Sequence, residues 1–247
     1  MAWDMNPTIT KVLLYSILII LIAIAGASIL IVSAWRRRTI RLFISFGAGV
    51  LLGAAFLHMI PEAAHLIQGS VGPPMLLGFL SLFIFEKFIM VHACEAEDCD
   101  FHTVGLSALI GLSLHSMVTG IALGASLIAP QLSLVVFIAV ALHKFPESFS
   151  LASILAHENY SRGKIFLGVL WVAVLVPVGA ILTLLVLGSV SDFTVGWLVA
   201  FSAGTFLHIA ADDLLPEVHT STQDRGSSLG IFLAGIALMW ISQNVVA

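Results

Sequence analysis

The chain has few charged residues for its length. Of its 247 residues, 10% are charged and 60% are hydrophobic, and the mean hydropathy is +1.10. A soluble globular domain carries about 25% charged residues, because polar side chains must cover its water-facing surface. This composition excludes a soluble domain and predicts an integral membrane protein in contact with the lipid bilayer.

Cysteine and basic charge are also scarce. The two cysteines, Cys94 and Cys99, cannot form a disulfide framework. The formal net charge is −4, and the absence of a basic excess argues against nucleic acid as a partner. The first apolar run, 11–34, is too long for the core of a signal peptide, and three arginines follow it at 36–38. We therefore expect this run to be retained as a membrane span.

The apolar runs predict eight membrane-spanning helices. Each run is about 20 residues long, the length needed to cross the bilayer core, and charged or Pro-, Gly- and Ser-rich joints separate the runs. We predict an all-α polytopic membrane protein with a single transmembrane domain over 1–247. The predicted spans are 11–35, 42–66, 73–92, 103–128, 132–157, 164–188, 194–218 and 228–246.

The basic residues indicate how the spans are oriented. Most of them lie in the odd-numbered joints or beside them, and the even-numbered joints carry none. Because basic joints stay in the cytoplasm, both termini should be extracytoplasmic. The residues that set this orientation are Arg36, Arg37, Arg38, Arg41, Lys87, Arg162, Lys164 and Arg225.

Spans two and seven resemble each other at a constant offset of 155 residues. They cross the membrane in opposite directions, so this pattern predicts an inverted repeat of three spans on each side of a central pair. Spans four and five show a weaker similarity, because both contain a Leu-His pair followed four residues later by a polar residue, starting at Leu114 and Leu142. The alternative is a chance recurrence of small residues and Pro-Glu pairs. The matched residues are Phe46, Ala48, Gly49, Pro61 and Glu62 in span two and Phe201, Ala203, Gly204, Pro216 and Glu217 in span seven.

Spans four and five carry polar residues where a bilayer disfavours them. His115 and Thr119 are four residues apart, as are His143 and Glu147, so each pair shares one helical face. Both pairs lie near mid-span, where a charge costs at least about 2.5–3.5 kcal/mol. Imidazole and carboxylate are ligands for Zn²⁺ above all, and they also serve Fe²⁺, Mn²⁺ and Cd²⁺. The pattern predicts a mid-membrane metal site; the alternative is that each histidine bonds a neighbouring helix as part of the packing.

Two more residues on span five affect this site. Pro146 cannot bond the carbonyl of Leu142, so it should kink the helix and leave a bare carbonyl beside His143. Lys144, at the same depth, must pair with a carboxylate or lose its proton. It either takes the place of a second cation and balances Glu147, or forms a structural ion pair elsewhere in the bundle.

Polar residues on spans two and seven predict a route from the site to both faces. Their spacing along the helices suits ions that move between weak sites. For Glu62 and Glu217 the alternative is contact with backbone or solvent at the interface. Neighbours on a regular helix point in different directions, so at most one of Asp212 and Asp213 should line a path. The route residues are His58, Glu62 and His65 toward the outer face and His208, Asp212, Asp213 and Glu217 toward the cytoplasm.

The joint after span three is acidic and contains both thiols. Cys94, Cys99 and His102 could capture a metal as it emerges, although their spacing matches no closed zinc module. The alternative is an acidic joint that is simply solvated.

Together these motifs resemble the ZIP (Zrt/Irt-like) family of divalent metal transporters over essentially the whole chain. The resemblance rests on His-Ser-Met-Val-Thr-Gly from His115, on His-Lys-Phe-Pro-Glu from His143, and on the Pro-Glu motifs of spans two and seven. The His-Lys-x-Pro pattern is similar to one branch of the family. The resemblance implies eight spans in a 3+2+3 inverted arrangement, metal movement into the cytoplasm, and His115, His143 and Glu147 as primary ligands.

Many family members carry two metals, and this chain departs from their pattern. Ser116 stands where an Asn or a carboxylate is usual, Thr119 where an acid is usual, and Lys144 at a common ligand position. We therefore expect one metal per chain, completed by Thr119 or water, with Ser116 as a further candidate ligand.

The sequence thus predicts a transporter that admits Zn²⁺ or a similar ion by alternating access. The metal is the cargo, and no catalytic cofactor is expected. The alternatives are an intramembrane zinc hydrolase with Glu147 as its base and a receptor that binds metal without transporting it. We expect a cell (inner) membrane location, with an organellar membrane as the alternative, and both a monomer and a homodimer are compatible with the sequence.

Overall fold

A computed structural model describes residues 7–90, 103–128, 130–187, 191–216 and 225–246. Within these ranges the chain forms eight helices and no strand, which confirms the all-α prediction. Several helices begin a few residues before the predicted spans. By length and apolar composition, α1, α2, α4, α6, α7 and α8 can cross a membrane. The helices are α1 (Pro7–Val32), α2 (Arg37–Gly53, Ala54–Met59 and Ile60–Ile67), α3 (Gly72–Ile84 and Phe85–Met90), α4 (Thr103–Ile128), α5 (Pro130–His157), α6 (Arg162–Leu182 and Thr183–Leu187), α7 (Asp192–His208 and Ile209–Leu214) and α8 (Arg225–Val246).

Helices α2 and α7 each contain a wide π-helical turn. The two turns, Ala54–Met59 and Ile209–Leu214, are separated by the same 155 residues that relate the two spans in the sequence. Each turn ends two residues before the proline of a Pro-Glu pair. Because proline donates no N–H and its ring displaces the carbonyl four residues earlier, Pro61 and Pro216 account for the wider turn before them.

Glycines let α2 pack on α8, and α7 on α3, with backbone against backbone. At four of these glycines, a Cβ would overlap a carbonyl oxygen of the neighbouring helix. The contacts of α2 with α8 are equivalent to those of α7 with α3, because the residues of α2 lie 155 positions before their counterparts in α7. They join Gly49 to Phe232, Gly204 to Met75, Gly235 to Phe46 and Gly78 to Phe201.

The same kind of contact joins the remaining four helices. Gly26 on α1 lies against the carbonyl of Phe145 on α5, and Gly179 on α6 lies against that of Met117 on α4. Helices α1, α4, α5 and α6 therefore form one closely packed group, and α2, α3, α7 and α8 form another. We call these the first and the second helix group.

At two glycines that face the other group, Gly47 and Gly111, the nearest atoms instead belong to side chains. A Cβ on Gly47 of α2 would lie 3.1 Å from the side chain of Ser150 on α5, and one on Gly111 of α4 would lie 2.6 Å from the side chain of Ile209 on α7. A side chain can change rotamer whereas a backbone carbonyl in a helix cannot. The boundary between the groups is therefore the more adaptable interface.

The joints after α1 and after α5 lie on one side of the molecule. Arg37 Nη2 donates to Asn159 Oδ1 across a distance of 3.4 Å. Beside them Glu158, only 2% exposed, accepts the N–H of Gly105 in the first turn of α4 at 2.7 Å. Burial raises the pKa of the Glu158 carboxyl to about 7, although the Gly105 hydrogen bond acts in the opposite direction. This carboxyl fixes the end of α5 to the start of α4.

Candidate metal centre

Helices α4 and α5 bring His115, His143 and Glu147 together. The two imidazole centroids are 5.7 Å apart, and His115 Nε2 lies 4.0 Å from Glu147 Oε2. One ligand atom from each of the three side chains lies within 4.8 Å of the others. Ligands bound to one Zn²⁺ at about 2.0–2.2 Å are roughly 3–4 Å apart, so only a small inward movement would let these atoms share a cation. The helix that carries His143 and Glu147 continues through Pro146, so the kink expected there does not interrupt α5.

Two of these ligand atoms have no hydrogen-bond partner within the described part of the chain. Both His143 Nε2 and Glu147 Oε2 are buried. Leaving a buried polar atom unpaired costs about 1–3 kcal/mol, and more for a charged group. A cation between the two atoms would satisfy both of them at once. Their chemistry, one imidazole nitrogen and one carboxylate oxygen, fits a divalent transition metal.

Lys144 forms its ion pair inside this site. Its side chain is 1% exposed, and Nζ lies 2.7 Å from Glu147 Oε1. Nζ also donates to Ser116 Oγ at 2.7 Å, and Ser116 in turn donates to the same Glu147 oxygen at 3.3 Å. The two oxygens of Glu147 therefore face different partners, one the lysine and the other the open ligand position beside His115.

The two hydroxyl residues predicted as ligands lie on opposite sides of the site. Thr119 Oγ1 is 3.2 Å from His115 Nε2, so this hydroxyl lies next to the open ligand position. Ser116 instead lies with Lys144, where its oxygen already accepts one hydrogen bond and donates another. Thr119 is thus better placed than Ser116 to complete a metal site.

A cavity of about 500 Å³ leads from one end of α2 to the two imidazoles. His58 and Glu62 line it, and so do His115, His143 and Thr119. His58 Nε2 lies 2.8 Å from the carbonyl of Met239 on α8, so one ring nitrogen takes part in helix packing. His65, also expected on this route, is exposed on α2 and does not line this cavity.

A second space of about 30 Å³ lies beside the ligands. His115, His143 and Glu147 all line it, together with apolar side chains such as Met59 and Phe206. A cavity needs about 10–15 Å³ to hold one water molecule, so this space has room for an ion or a water.

A second polar cluster lies at the far end of α7. Ligand atoms of Glu86, His208, Asp212 and Asp213 lie within 4.8 Å of one another, and His208 Nε2 is 2.8 Å from Glu86 Oε2. Three further atoms, Glu86 Oε1, His208 Nδ1 and Asp213 Oδ2, are buried without a partner in the described ranges. Because the sequence predicts that this end of α7 faces the cytoplasm, we refer to these four residues as the inner cluster.

The inner cluster differs from the sequence analysis at two points. Asp212 and Asp213 were expected to point in different directions, yet both belong to it. The π-helical turn at Ile209–Leu214 is the reason, because a wider turn reduces the angle between neighbouring side chains. Glu86 was missed altogether, although a carboxylate inside an apolar span is itself a signal of a polar site.

Four of the predicted site residues lie outside the described residues. Cys94, Cys99 and His102 belong to the joint after α3, and Glu217 follows the described end of α7.

Comparison with known proteins places the chain among membrane transporters. A family model described as ZIP zinc transporter matches residues 91–243, which is more than half of the chain. Zinc transporter ZIP9-B of Xenopus laevis is 28% identical over 245 residues, covering 78% of this chain and 81% of its own. Zinc transporter ZIP9 of Micropogonias undulatus is 29% identical, covering 77% and 79%, and zinc transporter GufA of Myxococcus xanthus is 29% identical, covering 72% and 76%. The chain is a multi-pass membrane protein that belongs to the ZIP family of zinc transporters.

Proposed function

We propose that this protein carries a divalent transition metal, first of all zinc, across the membrane into the cytoplasm by alternating access. The observation that carries this proposal is the convergence of His115, His143 and Glu147, two of them with unpaired buried atoms. These residues lie where a 500 Å³ cavity ends. Membership of the ZIP family, and the names of its relatives, favour zinc as the cargo.

The ligand set suits an ion that must be released again. Two neutral imidazoles and one carboxylate hold Zn²⁺ with three protein ligands and leave its fourth position to Thr119 or water. Fe²⁺, Mn²⁺ and Cd²⁺ accept the same ligands. The site has no role in catalysis in this proposal, and the metal is its substrate.

We propose that the site holds one metal because Lys144 stands in for a second cation. Its ammonium lies 2.7 Å from Glu147 Oε1 and neutralises that side of the carboxylate. Its position next to His143 fits the branch of the family with His-Lys-x-Pro in span five.

Replacing Lys144 by aspartate should raise the amount of bound metal by about one ion per chain. The change removes the competing cation and adds an oxygen ligand beside Glu147. Elemental analysis of the purified protein measures the stoichiometry, with the exposed Lys164→Asp as a control of equal charge change. A stoichiometry equal to that of the wild type would contradict the role of Lys144.

We propose a route through the membrane with a wide outer part and a narrow inner part. His58 and Glu62 line the outer cavity, and His65 lies exposed on the same helix, near its outer end. The inner cluster, Glu86 included, continues the route toward the cytoplasm, with Glu217 following it along the chain. Neither of the two cavities described above includes a residue of the inner cluster, which fits a form of the protein open to the outer side. We propose that Cys94, Cys99 and His102 capture the metal where it leaves this route.

The arrangement of the helices supports a 3+2+3 inverted repeat. The π-helical turns of α2 and α7 and the glycine contacts of both helices recur at matched positions. In alternating access the first helix group, which contains His115, His143 and Glu147, would slide against the second, because adaptable side chains lie across the boundary at Gly47 and Gly111. The hydrogen bond from Arg37 to Asn159 joins the first and the fifth joint. This contact fits a topology in which the basic joints share the cytoplasmic face and both termini lie outside. We expect the protein in a cell (inner) membrane.

Uptake of metal into proteoliposomes tests the proposal directly. Purified protein should load radioactive zinc into vesicles faster than empty vesicles take it up, and Cd²⁺, Mn²⁺ and Fe²⁺ should compete to different degrees. The assay is run at two pH values, which also shows whether protons are coupled to transport. Metal binding without flux would support the receptor alternative, and hydrolytic activity without flux would support the hydrolase.

A further inference from the structure

The second ring nitrogen of His115 contacts a residue on the opposite helix group. His115 Nδ1 lies 3.2 Å from Ser202 Oγ on α7. Ser202 is fully buried, and His115 is 8% exposed. The other nitrogen, Nε2, faces Thr119 Oγ1 and the open oxygen of Glu147. Each ring nitrogen thus has its own surroundings, and only Nε2 faces the candidate metal site.

This arrangement bears on where the imidazole proton resides. A neutral imidazole carries one N–H and one lone pair, and only the lone pair can bind a cation. When Nδ1 carries the proton, it can donate to Ser202 Oγ, and the lone pair on Nε2 then faces Glu147. In the other tautomer the N–H of Nε2 would point into the metal site and block it.

The inverted repeat supplies no equivalent residue for His143. At the offset of 155 residues, the position that matches Ser202 is Gly47, which has no side chain. The neighbour of Gly47 is instead the side chain of Ser150, which donates to the carbonyl of Pro146. The repeat therefore does not account for the serine at position 202, since its equivalent position is a glycine.

We propose that Ser202 is a positioning residue for metal binding: it holds His115 in the tautomer that carries its proton on Nδ1 and presents Nε2 to the cation. This inference rests on the proposed function of the central site. Partners that fix the second nitrogen of a metal-binding histidine typically contribute 10–100-fold to metal affinity. Ser202 acts from the second helix group, whereas the ligands belong to the first.

The test compares Ser202→Ala with the matched variant Ser153→Ala. Ser153 is also fully buried, but its hydroxyl donates only to a carbonyl of its own helix, Phe149 O, at 2.8 Å. Zinc affinity of each full-length variant in detergent micelles is measured by competition with a chromogenic chelator. Ser202→Ala should weaken zinc binding by about 10-fold or more, and Ser153→Ala should leave it unchanged.

The tautomer itself provides a readout that a purely structural role would not affect. In protein labelled with nitrogen-15 histidine, the His115 ring signals, assigned with the His115→Ala spectrum, should show a proton on Nδ1. In Ser202→Ala the same signals should shift toward a mixture of the two tautomers, and in Ser153→Ala they should not move. A wild-type His115 protonated on Nε2 overturns the inference even where no variant folds.

The outcomes separate this inference from the proposed function. Wild-type protein that binds no zinc contradicts the central metal site. Wild-type protein that binds zinc, together with a Ser202→Ala variant of equal affinity and unchanged tautomer, contradicts only the role of Ser202.

Discussion

Replacing His143 or Glu147 by alanine should reduce metal uptake into proteoliposomes to the level of empty vesicles. Each change removes one of the three proposed protein ligands, and two ligands do not hold a dehydrated Zn²⁺ against water. Radioactive zinc uptake at equal protein density measures the effect. His157→Ala is the control, because it removes a histidine from the same helix outside the site.

The Glu147 variant requires a second version because of its lysine partner. Removing the carboxylate leaves Lys144 as an unpaired charge that is 1% exposed, and breaking a buried pair in this way costs about 3–5 kcal/mol. The double variant Glu147→Ala with Lys144→Met removes both charges and should fold while still failing to transport. Uptake at the wild-type rate by folded His143→Ala and by this double variant would refute the central site.

Combining Glu86→Gln with Asp213→Asn should slow uptake severalfold and leave zinc affinity at the central site unchanged, because these ionisable residues line only the proposed route. Both side chains keep their size but lose the carboxyl group that would bind the ion after it leaves His115, His143 and Glu147. The rate is taken from the initial slope of uptake, and the affinity is taken from equilibrium binding in micelles.

Asp192→Asn is the matched control for the inner cluster. Asp192 is an exposed aspartate at the opposite end of the same helix, α7, and its replacement should not alter the rate. Uptake by the Glu86 and Asp213 double variant at the wild-type rate would remove the inner cluster from the route. A loss of binding at the central site would instead show that the two sites are not separate.

Amino-acid composition and spacing were sufficient to predict the helical class and the convergence of His115, His143 and Glu147. A bilayer leaves no water to satisfy backbone groups, so long apolar runs have few structural choices other than helices. The four-residue spacing of His143 and Glu147 fixes their common face in any helix. The sequence also showed that Phe46, Gly49 and Pro61 recur as Phe201, Gly204 and Pro216. The effect of proline and glycine on the backbone is local, so matching positions predict similar local structure.

Only the tertiary structure decided which partners the polar side chains take. Lys144 and Glu147 lie three residues apart on α5, so a helix already favours their ion pair, whereas the contact of Lys144 with Ser116 depends on the packing of α4 on α5. Glu86 joins His208 and Asp213 because α3 packs on α7, and Ser202 reaches His115 because α7 packs on α4. The contacts of Glu86 with His208 and of Ser202 with His115 join residues more than 80 positions apart, and a helix fixes neighbours only three or four residues away. Their geometry comes from how glycines let the helices approach, which periodicity within one helix does not encode.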